Sequence, residues 1–307
     1  MNVWLRLCVE VMNAGITYRW GYVDTMRQFD ALAPHAIVII GYAYSEDNNN
    51  LSHNDDLVLL CNKVGYGLMY GGKHQLSLDC YKKALSLQET ALSSISHHRA
   101  VLYHNISSLY EECGDFESAL EWSLKGLIIN ETLHGKEGVP TAHICNTVGT
   151  IHRKKRNFKK AMDFYKRALY ILELKLGKDD INTSTVCNSG AVLYAEKKMF
   201  EQALIWHRRD LSICENTLKE NHPDIATSYN NIAMTYHDMG DPKTALEWYA
   251  KAIAIRYEVL GIEHPVLEAT FNNALSAYLA NGGNITEFEI WLNNATGLSE
   301  GKENYET

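Results

Sequence analysis

The chain has 307 residues, about twice the ~150 typical of one domain, so it holds either two globular domains or one elongated array. Hydrophobic residues make up 46% of it and charged residues 21%, which excludes a wholly disordered chain. The net charge of −8 argues against binding to nucleic-acid phosphates, and no apolar stretch approaches the ~20 residues of a membrane span. Only 5 residues are proline, which favours helices over strands joined by proline-marked turns.

The N-terminal segment and the cysteines indicate the compartment. The segment at 1–15 carries a single basic side chain, Arg6, and no A-x-A cleavage pattern, so we predict no secretory signal. The seven cysteines form no C-x-x-C pair, and an odd number cannot pair completely within one chain. Reduced thiols and a cytoplasmic location are therefore predicted.

The segment at 1–57 does not share the repeat that follows it. We predict a helix near residues 3–13, a second near 23–32, and a buried helix or strand at 35–44. The three asparagines at 48–50 then indicate a loop. Together these elements form an N-terminal helical cap or junction at 1–57.

From residue 58 onward, one pattern recurs with a period of 42 and without an insertion. Its anchor is an aromatic residue before a short polar turn: Tyr110, His152, Tyr194, Tyr236 and Tyr278, with Leu68 in the same slot. Nine residues after four of the anchors stands an alanine: Ala119, Ala161, Ala203 and Ala245. A large aromatic follows three residues later: Trp122, Phe164, Trp206 and Trp248.

Each unit is predicted to contain two helices. In the first helix, apolar or small residues recur at helical spacing up to the anchor. The turn after it carries glycine in three units: Gly72, Gly114 and Gly240. The small residues of the second helix mark close helix approach, and its aromatics fill the space between successive pairs. Proline at His222-Pro223 and His264-Pro265 ends two of the units, because it cannot continue a helix.

The register divides the chain into a cap at 1–57, an array at 58–296 and a polar tail at 297–307. The units lie near 58–98, 99–140, 141–182, 183–224, 225–266 and 267–296. The sixth unit is degenerate, since Glu287 replaces the small alanine and Ile290 stands where the aromatic belongs. A terminal repeat that loses its packing residues is typical of a cap.

The repeated pattern reads small-x-x-Tyr-x-x-x-Gly-x-[Tyr/Phe]-x-x-Ala, followed by Ala-Leu. It resembles the tetratricopeptide repeat (TPR). The period is 42 residues, longer than the usual ~34, and one repeat unit ends in the sequence from Gly261 to Pro265. Both features look like those of the kinesin-light-chain subtype of TPR. The resemblance covers about three quarters of the chain. It implies an all-α fold, a right-handed αα-superhelix of five full repeats and a degenerate sixth, with a concave face built from the first helices.

A shorter resemblance lies within the N-terminal cap. The sequences LRLCVEVM at 5–12 and FDALAPHA at 29–36 look like the junction before the TPR array of bacterial STAND-type (NB-ARC/NACHT) NTPases. It implies an alternative to a simple scaffold, in which the chain is the ligand-sensing C-terminal regulatory module of such a signalling NTPase.

Six residues before each anchor, a polar residue recurs and forms what we call the polar ladder: Asn62, His104, Asn146, Asn188, Asn230 and Asn272. The TPR resemblance places this position on the groove side of the first helix. Positions four and seven residues further along share that face. They include Tyr66, Thr150, Arg153, Met234 and His237 as further candidate contacts, with Val192 and Ala195 in the fourth unit.

Asparagine is a middling helix former, so five in register need a reason. Its amide offers a donor and an acceptor, which match the C=O and N–H of an extended peptide backbone. We therefore predict that the polar ladder contacts a peptide. The alternative is that the asparagines bond the neighbouring helix in a structural role, which we favour for Asn231 and Asn273.

Four basic residues at 153–156 end the first helix of the third unit. Arg153 and Lys154 are expected to point into the groove and to receive an acidic side chain or a terminal carboxylate. The alternative is a solvated turn. Glu111 and Glu112 occupy the equivalent positions one repeat earlier, so we expect a groove with charges of both signs.

No motif indicates catalysis. The sequence GLMYGGKH at 67–74 nearly matches a P-loop, but His74 lacks the Mg²⁺-binding hydroxyl and no strand precedes it. Cys61, Cys145 and Cys187 share one repeated slot, which predicts core packing rather than a metal site. We therefore expect a non-enzymatic scaffold with no metal, small-molecule cofactor, nucleic acid or membrane partner, whose ligand is a protein or peptide.

Overall fold

The structure, a computed structural model, describes residues 3–16, 23–45, 55–89, 97–262 and 264–297. Within these ranges the regular elements are fourteen α-helices and one 3-10 helix, which confirms the predicted all-α fold. The helices are α1 Val3–Gly15, α2 Val23–Ser45, α3 Asp55–Tyr70, α4 His74–Glu89, α5 His97–Glu112, α6 Phe116–His134, α7 Val139–Lys154, α8 Phe158–Lys175, α9 Ile181–Glu196, α10 Phe200–Thr217, α11 Pro223–Met239, α12 Pro242–Leu260, α13 Pro265–Ala280 and α14 Phe288–Thr296. The loop predicted at 48–50 and the tail from 298 lie outside the described residues.

The two elements predicted at 23–32 and 35–44 are one helix, so that prediction was wrong. The 23 residues of α2 run through Pro34 without a break. A proline inside a helix costs about 3 kcal/mol, since it removes one hydrogen bond and crowds the preceding turn. Phe29, Ala36 and Ile40 of α2 are buried in the core that also contains α3, and this burial offsets the cost. Both α1 and α2 pack against α3.

The contacts divide the chain into two compact units, Met1–Phe164 and Tyr165–Thr307, with the boundary inside α8. In the first unit the pairs α3–α4 and α5–α6 pack tightly, and α4–α5 and α6–α7 join successive pairs. In the second unit the pairs are α9–α10 and α11–α12, joined through α10–α11 and α12–α13. In these four pairs the predicted first helix packs against its predicted second helix.

The repeated alanines of the second helices are fully buried. Ala119, Ala161, Ala203 and Ala245 are all 0% exposed. The aromatic three residues further on packs against the first helix of its own pair, with ring centroids 5.2 Å apart for Tyr103–Trp122 and 5.5 Å for Tyr229–Trp248. Cys61, Cys145 and Cys187 are fully buried core residues.

The first helices all end in one hydrogen-bonded turn. The anchor carbonyl accepts the N–H of the residue five positions on, as in Lys73 to Leu68 and Asp241 to Tyr236, both at 2.9 Å. This is the Schellman arrangement, which needs a left-handed residue after the helix. Glycine fills that position in four units, but Arg156 and Lys198 fill it in the third and fourth, each with φ of 58°. A side chain in this conformation costs about 1–2 kcal/mol.

In the last unit the aromatic has moved by one residue. Ile290, which stands in the repeated slot, is 62% exposed. Trp291 packs instead against Tyr278 and Phe288, each at 5.5 Å between ring centroids. The 3-10 helix Ile285–Glu287, which precedes α14, accompanies this shift. The terminal helix α14 packs on α12.

Replacing Lys198 with glycine should stabilise the protein. The substitution removes the left-handed strain, while glycine adds about 0.5–1 kcal/mol of chain entropy cost, so we expect a net gain of roughly 0.5–1 kcal/mol in urea unfolding. Lys197→Gly is the matched control, because Lys197 has a φ of −81° and its replacement should destabilise. Equal effects of the two substitutions would contradict the assignment of strain to Lys198.

Candidate functional site

In the first unit, one asparagine of the polar ladder is hydrogen-bonded to the next first helix. The amide of Asn105 in α5 donates from Nδ2 to Oδ1 of Asn62 in α3 at 2.8 Å. The oxygen of Asn62 therefore has a structural partner, as one of the two predicted alternatives required. Its amide nitrogen keeps two hydrogens for donation.

Two further ladder residues of the first unit have unsatisfied atoms. His104 Nδ1 and Asn146 Oδ1 are buried, and neither has a hydrogen-bond partner among the described residues. Burial lowers the pKa of His104 below its ordinary value, and nearby His143 acts in the same direction while Glu111 opposes it. A buried polar atom without a partner costs about 1–3 kcal/mol, and it is rare in native structures.

The second unit repeats both situations. Asn231 of α11 donates from Nδ2 to Oδ1 of Asn188 in α9 at 2.9 Å. Asn230 is 8% exposed and donates to Asn231 Oδ1 and Met234 Sδ, each at 3.4 Å. Its own Oδ1 is buried and has no partner within the described part of the chain. Asn272 of α13 is exposed.

The other predicted contact residues differ in exposure. Tyr66 is half-buried and its ring lies 4.8 Å from that of Tyr70. Thr150 and Arg153 in α7 are also half-buried, as is His237 in α11. Met234 is 42% exposed. The helix face that was predicted to contact a ligand is thus partly accessible in both units.

Three of the four basic residues at 153–156 interact with other side chains of the fold. Lys154 forms an ion pair of 2.8 Å with Glu111, the residue expected to give the groove its opposite charge. Lys155 pairs with Glu117, and Arg156 lies over the ring of Phe158 at 5.7 Å. The expectation that Lys154 awaits an acidic ligand group was wrong, because its partner comes from the preceding repeat.

A cavity of about 200 Å³ lies between α9, α10 and α11 in the second unit. We call it the His207 cavity. Three of its lining residues, Val192, Ala195 and Met234, are on the predicted ligand face. Among the described residues, the full lining is Val192, Ala195, Glu196, His207, Asn231, Met234, Thr235 and Asp238.

His207 is one of four lining residues, with Glu196, Thr235 and Asp238, that the sequence did not single out. It is 1% exposed, and its Nδ1 has no hydrogen-bond partner among the residues described. Burial lowers its pKa to about 4, so the imidazole is neutral at pH 7. The register held a signal for it, because the same slot of three other second helices carries a fully buried tyrosine: Tyr81, Tyr165 and Tyr249.

A buried carboxylate holds the three helices of the cavity together. Asp210 of α10 stands in a slot that holds alanine or glycine in the other full repeats, and it is nevertheless buried. It accepts hydrogen bonds from the hydroxyls of Ser184 in α9 and Ser228 in α11, the second at 2.7 Å. Burial raises the pKa of the Asp210 carboxyl, although these hydrogen bonds act in the opposite direction.

This shift predicts a pH-dependent stability difference between the wild type and Asp210→Asn. The folded state binds the Asp210 proton more tightly than the unfolded chain does. The stability that this linkage contributes is fully present below the ordinary pKa of about 3.9 and is lost as pH rises through the raised pKa. The wild-type free energy of unfolding minus that of the variant should therefore fall from pH 4 towards pH 7, measured by urea unfolding.

The matched control for this measurement is Glu247→Gln, since Glu247 is exposed on α12. The difference in free energy of unfolding between the wild type and Glu247→Gln should change less over the same pH range. A difference for Asp210→Asn that rises with pH would contradict the raised pKa.

Two kinds of site are absent from the described ranges. No helix there is long and apolar enough to cross a membrane. No group of three or more His, Cys, Asp or Glu side chains in the same part of the chain is placed to hold a metal ion.

Comparison with solved structures shows the same fold in several proteins. BtubC (BKLC) from P. vanneervenii has a TM-score of 0.57 and 20% identity, with 86% of this chain and 95% of that chain covered. A Rap protein has a TM-score of 0.61 and 15% identity, with 96% of this chain and 76% of that chain covered. A putative kinesin light chain from Podosopora anserina has a TM-score of 0.53 and 20% identity, with 66% of this chain and 96% of that chain covered.

Sequence comparison gives the family. No curated protein sequence matches the chain significantly. The sequence model of the tetratricopeptide repeat matches residues 98–174 and 180–258, just over half of the chain. This match and the paired helices agree with the resemblance read from the 42-residue register. The chain therefore belongs to the tetratricopeptide-repeat family.

Proposed function

We propose that this protein is a non-enzymatic scaffold that holds an extended peptide, or a segment of a partner protein, against its first helices through the polar ladder. The observation that carries the proposal is the pair of buried amide oxygens without a partner, on Asn146 and Asn230. Water or a ligand must satisfy such atoms, because leaving them unpaired costs about 1–3 kcal/mol each. A peptide N–H is the donor that an extended ligand brings.

The bonded members of the ladder complement these acceptors. Asn62 and Asn188 use their oxygens for the neighbouring helix, so what they retain for a ligand is the amide N–H. The same hydrogen bonds fix the orientation of the two side chains before a ligand arrives, which lowers the entropy cost of binding. A ladder with fixed donors and unpaired acceptors suits the alternating C=O and N–H groups of a peptide backbone.

A structure of the same fold supports a binding role. The Rap protein was crystallised in complex with Competence and Sporulation Factor. The shared fold makes a binding role reasonable for this chain, while the ligand itself depends on side chains that differ at 15% identity. The net charge of −8 leads us to infer a protein or peptide partner rather than nucleic acid.

The regulatory alternative stays a prediction. The two segments that resemble the junction of STAND-type NTPases lie within α1 and α2. These helices pack directly on α3, so the segment is joined to the array through a packed core. That arrangement suits a cap of a scaffold as well as a junction in a sensor. The cytoplasmic location is likewise still a prediction.

Asn230→Ala should weaken peptide binding without weakening the fold. Peptides are selected on the full chain from a random dodecamer library, and their affinities are measured by fluorescence anisotropy. Loss of one neutral hydrogen bond predicts roughly a two- to tenfold weaker affinity. The melting temperature should change little, because the variant removes two long hydrogen bonds of 3.4 Å together with a buried atom that has no partner among the described residues.

Two controls separate ligand contact from structural effects. Asn188→Ala removes the acceptor of Asn231 and should lower the free energy of unfolding by about 1 kcal/mol. Asn216→Ala changes an exposed asparagine of α10 and should alter neither quantity. The proposal fails if the library yields no binding peptide, or if Asn230→Ala binds the selected peptides as tightly as Asn216→Ala does.

A further inference from the structure

We propose that the His207 cavity binds an arginine side chain of the partner. This inference deepens the proposed function, since it assigns a specific pocket beside the polar ladder, and it is tested by a separate probe. Three observations carry it: the missing tyrosine, the negative charge at the cavity rim, and the unsatisfied imidazole in the cavity wall.

The cavity lies at a slot where His207 departs from tyrosine, as Ser123 of α6 also does. Tyr81, Tyr165 and Tyr249 fill the equivalent slot of three other second helices and are at most 1% exposed. Histidine in this slot is shorter than tyrosine, and a cavity of about 200 Å³ lies beside it. Protein interiors rarely keep such voids, because the lining atoms lose their packing contacts. A void of about 200 Å³ open to the predicted ligand face is therefore a candidate subsite.

The rim of the cavity carries the charge of Asp238, while Glu196 beside it already has an interaction of its own. Glu196 is the last residue of α9, and Asp238 precedes the last residue of α11. Helix C-termini carry a partial negative charge, so carboxylates there add to an existing negative potential instead of neutralising it. The eight described lining residues include no lysine or arginine. The charge of Asp238 also contributes to the raised pKa of Tyr249, although burial is the larger cause.

The wall of the cavity offers an acceptor and apolar surface. His207 is neutral at pH 7, and a neutral imidazole has one acceptor nitrogen. Val192, Ala195 and Met234 provide apolar contact for a methylene chain. A long side chain with a cationic head therefore matches the pocket better than an acidic or an apolar one.

Arginine fits this arrangement better than lysine. The guanidinium presents five N–H donors in a planar fork, while the ammonium has three on one atom. The acceptors of the cavity come from α10 and α11, so a fork can reach more of them at once. Guanidinium is also more weakly hydrated than ammonium, which lowers the cost of placing it beside the buried His207.

The test uses the full chain and the small probe N-acetyl-arginine amide, with binding followed by NMR of the His207 imidazole. N-acetyl-citrulline amide has the same shape without the charge, and N-acetyl-lysine amide has the charge without the fork. We expect the arginine probe to shift the imidazole signals saturably and to bind at least about tenfold more tightly than the citrulline probe. Equal binding of arginine and citrulline, or no shift, would overturn the proposal.

Two variants locate the binding, and saturation-transfer NMR of the probe gives its affinity. His207→Tyr fills the cavity with the residue that three equivalent slots accept, and it should abolish binding. Asp238→Asn changes an exposed residue and should weaken binding about tenfold. Asn216→Ala should leave it unchanged. Lysine binding as tight as arginine would overturn the choice of arginine, and unaltered binding to both cavity variants would overturn the site.

The outcome is separate from that of the peptide selection. If the dodecamer library yields peptides that depend on Asn230 while the arginine probe does not bind, the cavity proposal fails and the scaffold proposal stands. If the arginine probe binds and the library yields no peptide, the polar ladder proposal fails and the cavity remains a site for a guanidinium group.

Discussion

A pair of helices in this protein cannot bury its apolar face alone, and that constraint governs the rest of the structure. Each pair uses the next one as cover, so equivalent positions have the same surroundings in every repeat. The alanine nine residues after the anchor is fully buried in four units, and one slot of the second helix holds a buried tyrosine in three. A residue that departs from such a slot changes the packing locally, so departures mark the places where a specific interaction has replaced general packing.

The fourth unit has two departures on the same helix. Asp210 introduces a buried carboxylate where other repeats have alanine or glycine, and His207 replaces a tyrosine. Hydroxyls from α9 and α11 satisfy the carboxylate, so Asp210 ties together the helices that form the His207 cavity. The imidazole, one helical turn away, has no such partner for its Nδ1 within the described residues. One departure is thus satisfied inside the fold, and the other is the basis of the proposed arginine subsite.

The sequence predicted the features that depend on register, and it missed those that depend on pairs of side chains. The 42-residue period gave the paired helices and the positions of the turns, but Pro34 inside α2 shows that tertiary packing can override a strong local signal. The polar ladder was predicted as one kind of site, whereas Asn62 accepts an amide hydrogen bond from the next helix. His104 receives no such hydrogen bond from the next first helix. The residue there that corresponds to Asn105 is Thr147, whose hydroxyl donates to the backbone carbonyl of His143 in its own helix. Whether a ladder residue is hydrogen-bonded by the next helix therefore depends on the residue one position after the next ladder residue. The 42-residue spacing alone does not reveal the type of that residue.

The unsatisfied atoms also connect binding to stability. Each buried acceptor without a partner makes the free protein less stable than its packing allows, by about 1–3 kcal/mol. A repeat array tolerates this cost because each pair is held by its neighbours, so a local defect does not unfold the whole. A ligand that donates hydrogen bonds to Asn230 binds the folded state alone and stabilises it by mass action. The same atoms that weaken the empty protein are therefore the ones through which a ligand would stabilise it, and selection for binding would retain them against selection for stability.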